Sequence, residues 1–304
     1  MQLGFALPTA GAWATPANIA GLARDAESHG FRGLWTFQRW LADEKLAGVY
    51  QSVLDPMIAL GFAAAVTERA RLGVAVVNGP FYSPVALAKQ FAALDVLSAG
   101  RLDAGLGLGW SPAEYTAAGI GMDQRGRRFD EWLDCLHVLL TGEQVEFAGD
   151  FYVVPRSRIA PRPVQRPRPP VLIGGSAPRA LRRAGVRGDG WISSSPASLE
   201  DVRSAVRSVR GSAERAGKAS GSVRCVVRGV TRLRKAPIDG ADRVMLSGTL
   251  DQIRDDLARY AQAGVDEVFL DLNFDSELVG DPAADPAIGV ELAGELMPLG
   301  AETF

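Results

Sequence analysis

The chain alternates short apolar runs of β type with longer segments of helical periodicity, and this alternation constrains the fold most. After the first run, Thr15-Pro16 supplies a helix N-cap and a first-turn proline, and apolar residues then recur at helical spacing as far as Gly30. The same device recurs at Asp55-Pro56 and Ser83-Pro84. The predicted strands are 3–7, 33–37, 71–77, 101–109, 171–175, 188–194, 223–230 and 267–272.

Eight strands separated by helices in a chain of 304 residues predict one closed parallel (β/α)8 barrel, a TIM barrel, spanning 1–304 as a single domain. A doubly wound open sheet is the alternative. Residues 143–170 break the alternation, because PRSRIAPRPVQRPRPP carries six prolines and excludes a regular helix. We predict an extended insertion outside the strand ring. Its arginines either attract an anionic tail or belong to a solvated linker, and the linker is favoured.

Composition limits the class of protein. With 47% hydrophobic and 22% charged residues, the chain has the balance of a globular protein whose core needs no metal or disulfide. The net charge of −2 gives no attraction to nucleic acid or membranes. Cys135 and Cys225 lie in apolar periodic segments, and we predict that both are buried, reduced thiols. The chain has no basic leader and no apolar run of about 20 residues, so we expect a cytoplasmic protein.

In a parallel barrel the active site lies where the strands end at their carboxyl termini. The sequence places many aromatic residues there and few acid–base groups. The two histidines, His29 and His137, fall within helical segments instead, so we expect neither a metal site nor a catalytic histidine. The residues predicted at this mouth are Pro8, Trp13, Phe37, Gln38, Arg39, Trp40, Asn78, Phe81, Tyr82, Gly109, Trp110, Ser111, Glu114, Tyr115, Gly174, Gly175, Ser176, Ser193, Ser194 and Ser195.

Gly174-Gly175-Ser176 follows the fifth predicted strand and precedes a helix. Two glycines allow the backbone to approach a ligand closely, and the helix N-terminus offers free N–H groups to a phosphate. The alternative is a tight turn without a ligand. A phosphate site beside an aromatic, acid-poor mouth suits a bound redox cofactor. GLGLG at 105–109 lacks the spacing of a dinucleotide fingerprint and is followed by Trp-Ser-Pro, which excludes a Rossmann site.

Five blocks of sequence, in this order, resemble the luciferase-like monooxygenase family (the bacterial luciferase superfamily), and within it the branch of coenzyme F420-dependent oxidoreductases. The resemblance is weaker at 40–55 and 231–247. The blocks are RLGVAVV (71–77), SPVALAKQFAALDVLSAGRLDAGLGLGW (83–110), RGRRFDEWLDCLHVLL (125–140), PVQRPRPPVLIGGSAPRALRRAGVRGDGW (163–191) and GTLDQIRDDLARYAQAGVDEVFLDL (248–272).

The resemblance implies a luciferase-like barrel that binds F420, or FMN as the alternative, with the ring deep in the mouth. It also implies a homodimer and a non-prolyl cis peptide behind the ring, matching Ala75-Val76. The phosphate is expected at Gly174, Gly175 and Ser176, with help from the segment after Trp191. The cofactor-binding residues expected on this basis are Gln38, Arg39, Ala75, Val76, Asn78, Gly107, Leu108, Gly109, Trp110, Gly174, Gly175, Ser176 and Ser193.

The chain departs from the family pattern at two places. Many members carry Asp-His after the second strand, where this chain has Gln38 and Arg39. Some deazaflavin-dependent members place a glutamate proton donor where this chain has Trp110. Without an imidazole base, alcohol oxidation is disfavoured. The resemblance then implies reduction of an activated C=C or C=N bond of a small organic molecule, by hydride transfer from the reduced deazaflavin and a proton from tyrosine, glutamate or water.

Candidate roles follow from this interpretation. Arg39 is predicted to stabilise negative charge on the deazaflavin or substrate, and Glu114 or Tyr115 to donate the proton. The alternative for Arg39 is a surface ion pair with Asp43 or Glu44. The predicted substrate pocket consists of Trp13, Phe37, Tyr82 and Trp110, with wall packing as the alternative for each. Two other functions stay open: a two-component FMN-dependent monooxygenase, and a barrel that binds a ligand without catalysis.

Overall fold

The computed structural model describes residues 1–42, 48–195, 197–219, 221–240 and 243–304. Its strands are β1 (Gln2–Ala6), β2 (Gly33–Thr36), β3 (Arg71–Val74), β4 (Val77–Asn78), β5 (Leu102–Gly107), β6 (Val145–Ala148), β7 (Val153–Ser157), β8 (Val171–Gly174), β9 (Gly190–Ile192), β10 (Arg224–Val230), β11 (Arg232–Leu233), β12 (Ser247–Gly248) and β13 (Glu267–Asp271). Its helices are α1 (Pro16–Ser28), α2 (Pro56–Ala64), α3 (Pro84–Leu97), α4 (Pro112–Ala117), α5 (Arg125–Thr141), α6 (Pro178–Arg187), α7 (Leu199–Arg215), α8 (Leu250–Gln262) and α9 (Pro286–Leu296).

The parallel strands close into a ring. Around it the order is β3, β2, β1, β13, β10, β9, β8 and β5, and β5 pairs back to β3 through the register Leu72↔Leu102. The predicted (β/α)8 barrel is therefore confirmed, and the open sheet is excluded. The third predicted strand consists of two pieces, β3 and β4, and both pair with β5. The cis peptide expected at Ala75-Val76 is present between them.

The helix boundaries follow the predicted signals. The Thr15 hydroxyl accepts a hydrogen bond from the N–H of Asn18 at the start of α1, and Gly30 has a φ of +97° just after that helix ends. Thr249 and Gln252 form a reciprocal capping box at the start of α8. The caps and the apolar spacing thus point to the same boundaries.

The insertion at 143–170 lies outside the ring, as predicted, but it is not simply extended. Its first half forms an antiparallel hairpin of β6 and β7, which the sequence analysis missed. Its second half is held on α3, where the Asp95 carboxylate accepts hydrogen bonds from the backbone N–H groups of Val164 and Gln165. Arg156 donates a hydrogen bond to Gln144 within the insertion.

The lower layer of the barrel interior carries charges at the amino-terminal ends of the strands. The Asp103 carboxylate pairs with both Arg71 and Arg224. The Glu267 carboxylate, 2% exposed, accepts a hydrogen bond of 2.7 Å from Nε1 of Trp35. Burial raises the pKa of Glu267 to about 6. We call these four charged residues the floor.

An apolar layer covers the floor. The rings of Trp35 and Phe269 stack with centroids 4.9 Å apart, and a Cβ at Gly73 would lie 2.4 Å from the Trp35 ring, so this position admits only glycine. Its other members are Ala6, Ala75, Leu172, Ile192 and Val226, with Val76 packed against them.

Three features that bear on the class of protein can be read from the described part of the chain. None of the helices described there combines the length and the apolar character of a transmembrane span. No group of three or more histidine, cysteine or carboxylate residues is arranged there to hold a metal ion. Cys135 and Cys225 are both buried and unpaired, as predicted, and burial raises the pKa of the Cys135 thiol to about 11.

Candidate active site

Val76 forms one wall of the mouth. A Cβ at Gly107 would lie 2.5 Å from Cγ2 of Val76, and one at Gly174 would lie 3.0 Å from its Cγ1. Both glycines are among the predicted cofactor-binding residues. In the structure they admit the Val76 side chain, which packs on the apolar layer and stays partly exposed. Val76 is therefore the surface on which a planar ring can rest.

A hydrogen-bonded group connects Gln38 to Tyr82. The side-chain carbonyl of Gln38 accepts a hydrogen bond of 2.8 Å from the backbone N–H of Asn78. This bond directs the amide nitrogen of Gln38 to the Tyr82 hydroxyl, to which it donates at 2.7 Å. Nε1 of Trp40 donates to the same hydroxyl at 3.1 Å. The Tyr82 oxygen therefore accepts two hydrogen bonds, and its own proton has no acceptor among the described residues. Burial raises the pKa of Tyr82, so the phenol keeps that proton.

Arg39 lies beside this group, and its side chain is only 4% exposed. Its guanidinium carbon lies 4.8 Å from the centroid of the Trp110 ring and 5.2 Å from that of Tyr50. Nε donates to the carbonyl of Leu41 at 3.0 Å and lies 3.4 Å from Oε1 of Glu114. The alternative of a surface arginine is thus wrong, although Asp43 and Glu44 lie outside the described residues.

The structure argues against both predicted proton donors. Oε1 of Glu114 accepts from the backbone N–H groups of Trp40 and Leu41 in addition to its contact with Arg39, and the residue is 2% exposed. Glu114 therefore holds the loop after β2 in place. The Tyr115 hydroxyl donates to the carbonyl of Leu108 at 2.6 Å, and the side chain is buried. Both groups take part in building the loops around the mouth, which disfavours them as proton donors, and their assignment stays a prediction.

Trp13, Phe37 and Trp110 were all predicted to line the substrate pocket, but the structure places them in different environments. Trp13 is 1% exposed and belongs to the main core, where it packs so closely on α9 that a Cβ at Gly289 would lie 2.7 Å from its ring. Its substrate-pocket assignment is corrected to a packing role. Phe37, at the end of β2, packs against Phe274 with centroids 5.2 Å apart. Trp110 is 55% exposed and faces Tyr50.

The turn at Gly175 leads into a helix without a side-chain cap. Gly175 has a φ of +126°, and Nε1 of Trp191 donates to its carbonyl at 2.7 Å. Ala177 occupies the N-cap of α6 and offers no side-chain acceptor. The backbone N–H groups of Ser176, Ala177 and Arg179 donate to no described residue. These free donors suit an anion.

A pocket of about 320 Å³ lies beside these donors, with Ser176, Trp191, Ser194 and Ser204 among its lining residues. Ser193 is not among them, and its hydroxyl accepts a hydrogen bond from the backbone N–H of Arg228. Ser194 is a further candidate phosphate contact from this segment, and the assignment of Ser193 stays a prediction.

The sequence analysis missed the pair of Arg228 and Asp271. Nε of Arg228 donates to Oδ2 of Asp271 at 2.7 Å, and the two side chains are 9% and 0% exposed. Arg228 and Val226 are two residues apart and lie on the same, inner face of β10. Asp271 is the last residue of β13. The available signal was an arginine at an inward position of the apolar run 223–230.

The histidines lie away from the mouth, as predicted. His29 follows the last turn of α1, and its Nδ1 lies 2.8 Å from the carbonyl of Asp25. His137 lies on the outer face of α5 beside Arg168, and burial together with that arginine lowers its pKa.

Comparisons with known proteins agree with this geometry. The model of the luciferase-like monooxygenase family matches residues 1–235. An uncharacterized protein of Mycobacterium tuberculosis is 35% identical over 63% of this chain and 72% of its own length. The FMNH2-dependent dimethylsulfone monooxygenase of Pseudomonas putida is 32% identical over 65% of this chain and 54% of its own length.

An F420-dependent glucose-6-phosphate dehydrogenase of Nakamurella multipartita is 34% identical over 59% of this chain and 52% of its own length. The crystal structure of the monooxygenase RslO1 from Streptomyces bottropensis superimposes with a TM-score of 0.81 at 24% identity, and the match covers 98% of both chains. At that identity the likeness shows the fold alone. The family model covers most of the barrel, including the cis peptide and the uncapped helix, and the chain belongs to the luciferase-like monooxygenase family.

Proposed function

We propose that the protein is an F420-dependent oxidoreductase that reduces an activated C=C or C=N bond of a small organic molecule. The observation that carries this proposal is the Tyr82 hydroxyl, which holds a proton with no acceptor among the described residues. The carboxylates of the mouth, Glu114 and Asp271, are both occupied by N–H donors. A free acid without a free base among the described residues of the mouth suits reduction rather than oxidation.

The chain's own residues fit such a cofactor. The N–H groups of Ser176, Ala177 and Arg179 would hold its phosphate, and Val76 would support one face of its ring. F420 supplies a hydride when bound in its reduced form. Gln38 and Trp40 hold the Tyr82 oxygen, so the phenol proton points away from both and is available to the substrate.

Arg179 favours F420 over FMN. The F420 side chain continues past its phosphate into lactate and glutamate carboxylates, whereas FMN ends at the phosphate. Arg179 is exposed in the first turn of α6, next to the free backbone donors. It is therefore placed to meet an anionic extension.

Titration of the purified protein with F420 and with FMN, followed by fluorescence, tests the cofactor. We expect tighter binding of F420, and Arg179→Gln should weaken F420 binding at least threefold while FMN binding stays unchanged. Arg207→Gln, a charge change on the exposed face of α7, is the control. Reduction of an enone or imine panel with reduced F420 then tests the reaction.

The relatives named above include an FMNH2-dependent monooxygenase, which supports the second candidate function. Preferential FMN binding together with oxygen-dependent turnover would replace the first proposal with that one. Binding of neither cofactor would favour the non-catalytic barrel.

We also propose that the protein forms a homodimer through α2. This helix is apolar on its outer side as well as its inner one, and Ile58 and Phe62 are 76% and 44% exposed. Beside them lies an apolar groove of about 300 Å³ between α1 and α2. Exposed apolar surface of this kind marks an association site. Ile58→Lys should convert a dimer to a monomer in light scattering, whereas Val153→Lys, at a 74% exposed apolar residue of the hairpin, should not.

A further inference from the structure

Arg228 lies inside the barrel at the level of the mouth. Side chains alternate along a strand, so Arg228 shares the inward face of β10 with Val226 and lies one layer closer to the carboxyl end. Its guanidinium carbon is 4.6 Å from the centroid of the Phe37 ring and 4.3 Å from that of Phe274. Both phenylalanines follow the ends of barrel strands, so Arg228 faces the mouth.

Asp271 uses only one edge of this guanidinium. The contact runs from Nε to Oδ2, and Oδ1 of Asp271 accepts instead from the backbone and side-chain N–H groups of Asn273. Neither η nitrogen of Arg228 has a hydrogen-bond partner among the described residues, although the side chain is only 9% exposed. A guanidinium stays protonated, so this is a nearly buried cation whose outer edge is unpaired.

The strand order places this edge across the barrel from the cofactor wall. Val76, Gly107 and Gly174 belong to the side formed by β4, β5 and β8, whereas β10 lies between β9 and β13. A ring that rests on Val76 therefore presents its open face toward Arg228. A molecule bound against that face meets the η nitrogens.

We propose that Arg228 binds a carboxylate group of the substrate, which makes the substrate class an unsaturated organic acid; this inference rests on the proposed function. The η edge matches a carboxylate with two parallel hydrogen bonds, and the aromatic rings around it suit a planar, conjugated molecule. In a C=C bond conjugated to that carboxylate, hydride forms a C–H bond at the β-carbon. The π electrons move toward the α-carbon and the carboxylate, where Arg228 stabilises the charge. The α-carbon then takes the Tyr82 proton, the deazaflavin is left oxidised, and solvent returns a proton to the phenol.

Cinnamate and cinnamamide are matched probes, since they share size and shape and differ in charge. Isothermal titration calorimetry on the protein, with and without F420, should show cinnamate binding at least tenfold more tightly than cinnamamide. Arg228→Gln should weaken cinnamate binding at least tenfold and leave cinnamamide within threefold. Arg207→Gln should change neither.

Removal of Arg228 alone leaves Asp271 buried without its cation, so the double variant Arg228→Gln/Asp271→Asn accompanies it, with thermal unfolding to show that the fold is intact. The double variant should lose the preference for cinnamate, and Arg228→Lys should keep part of it. Equal binding of the two probes by the unaltered protein would overturn the inference, as would a preference that survives in the double variant. A double variant that loses F420 affinity while it keeps cinnamate affinity would assign Arg228 to the cofactor instead. Failure to bind F420 overturns the proposed function separately, because the carboxylate preference is measured without cofactor as well.

Discussion

The hydroxyl of Tyr82 lies 2.7 Å from the amide nitrogen of Gln38, and the orientation of that amide is set from behind by the backbone N–H of Asn78. This arrangement determines which of the two side chains donates the hydrogen bond and which accepts it. Gln38 must donate to Tyr82, because its carbonyl is already used. The phenol is thereby left as a proton donor toward the mouth.

Tyr82→Phe should lower kcat with reduced F420 by about 100-fold or more, in the range typical of a lost general acid. F420 affinity should stay within threefold, since the phosphate and ring contacts are elsewhere. Because burial raises the pKa of Tyr82 above its ordinary value of 10, kcat should show no loss from this group on raising the pH from 7 to 9. Tyr260→Phe, a buried tyrosine on α8, is the matched control and should leave kcat unchanged. Equal kcat in both variants would assign the proton to another donor.

Arg39→Ala should lower turnover with reduced F420 by about 30-fold or more, the loss typical of a charge-assisted contact in the transition state. Arg39→Lys should recover little of it, because the planar group that contacts the Trp110 and Tyr50 rings is lost. Steady-state kinetics and F420 titration of both variants check this. Turnover and affinity within a factor of three in Arg39→Ala would show that Arg39 only supports the loop.

Gly175→Val should weaken F420 binding at least tenfold, or about 1.4 kcal/mol. The backbone φ of +126° is unfavourable for valine, and the added side chain would crowd Ala180 at the start of α6. Gly217→Ala introduces a side chain at a φ of +80° with open space around it and serves as the control for backbone strain. Equal F420 affinity in Gly175→Val and the unaltered protein would mean that the turn binds no phosphate.

Glu267→Gln should stabilise the protein at neutral pH relative to acidic pH. The pKa of Glu267 is raised from 4.5 to about 6 in the folded state, so its contribution to stability is present below pH 4.5 and is lost as the pH rises through 6. Glutamine removes that loss while it keeps an acceptor for Trp35. The difference in free energy of unfolding, variant minus unaltered protein, should rise by about 2 kcal/mol between pH 4 and pH 7.5 in urea titrations. An unchanged difference would contradict the raised pKa.

The fold was predictable because its signals are local and repeated. Thr15-Pro16 and Gly30 mark one helix, and Asp55-Pro56 and Ser83-Pro84 mark the starts of two more. The hairpin at 145–157 was missed because the surrounding prolines dominate the composition of its segment. Its β6 and β7 pair with each other, and one valine from each strand, Val145 and Val154, packs into the main core.

The site was predictable in position but not in roles. The sequence places Glu114 and Tyr82 at the mouth equally well. Only the hydrogen bonds separate a carboxylate that holds Trp40 in place from a phenol with a free proton. Arg228 was missed for a related reason, since an inward arginine on a strand becomes recognisable only when its partner Asp271, more than 40 residues away, is known to lie beside it.

The stacked rings of Trp35 and Phe269 separate two sets of charges that share one barrel. Below them lie Glu267 and the ion pairs of Asp103. Above them, Tyr82 and Arg228 face the mouth. Because the apolar layer lies between the two sets, residues of the floor do not line the mouth, and substitutions there can change stability without removing a contact to the substrate. Substitutions at the lower end of the barrel can therefore change stability, and substitutions at the mouth can change specificity, independently of each other in descendants of this chain.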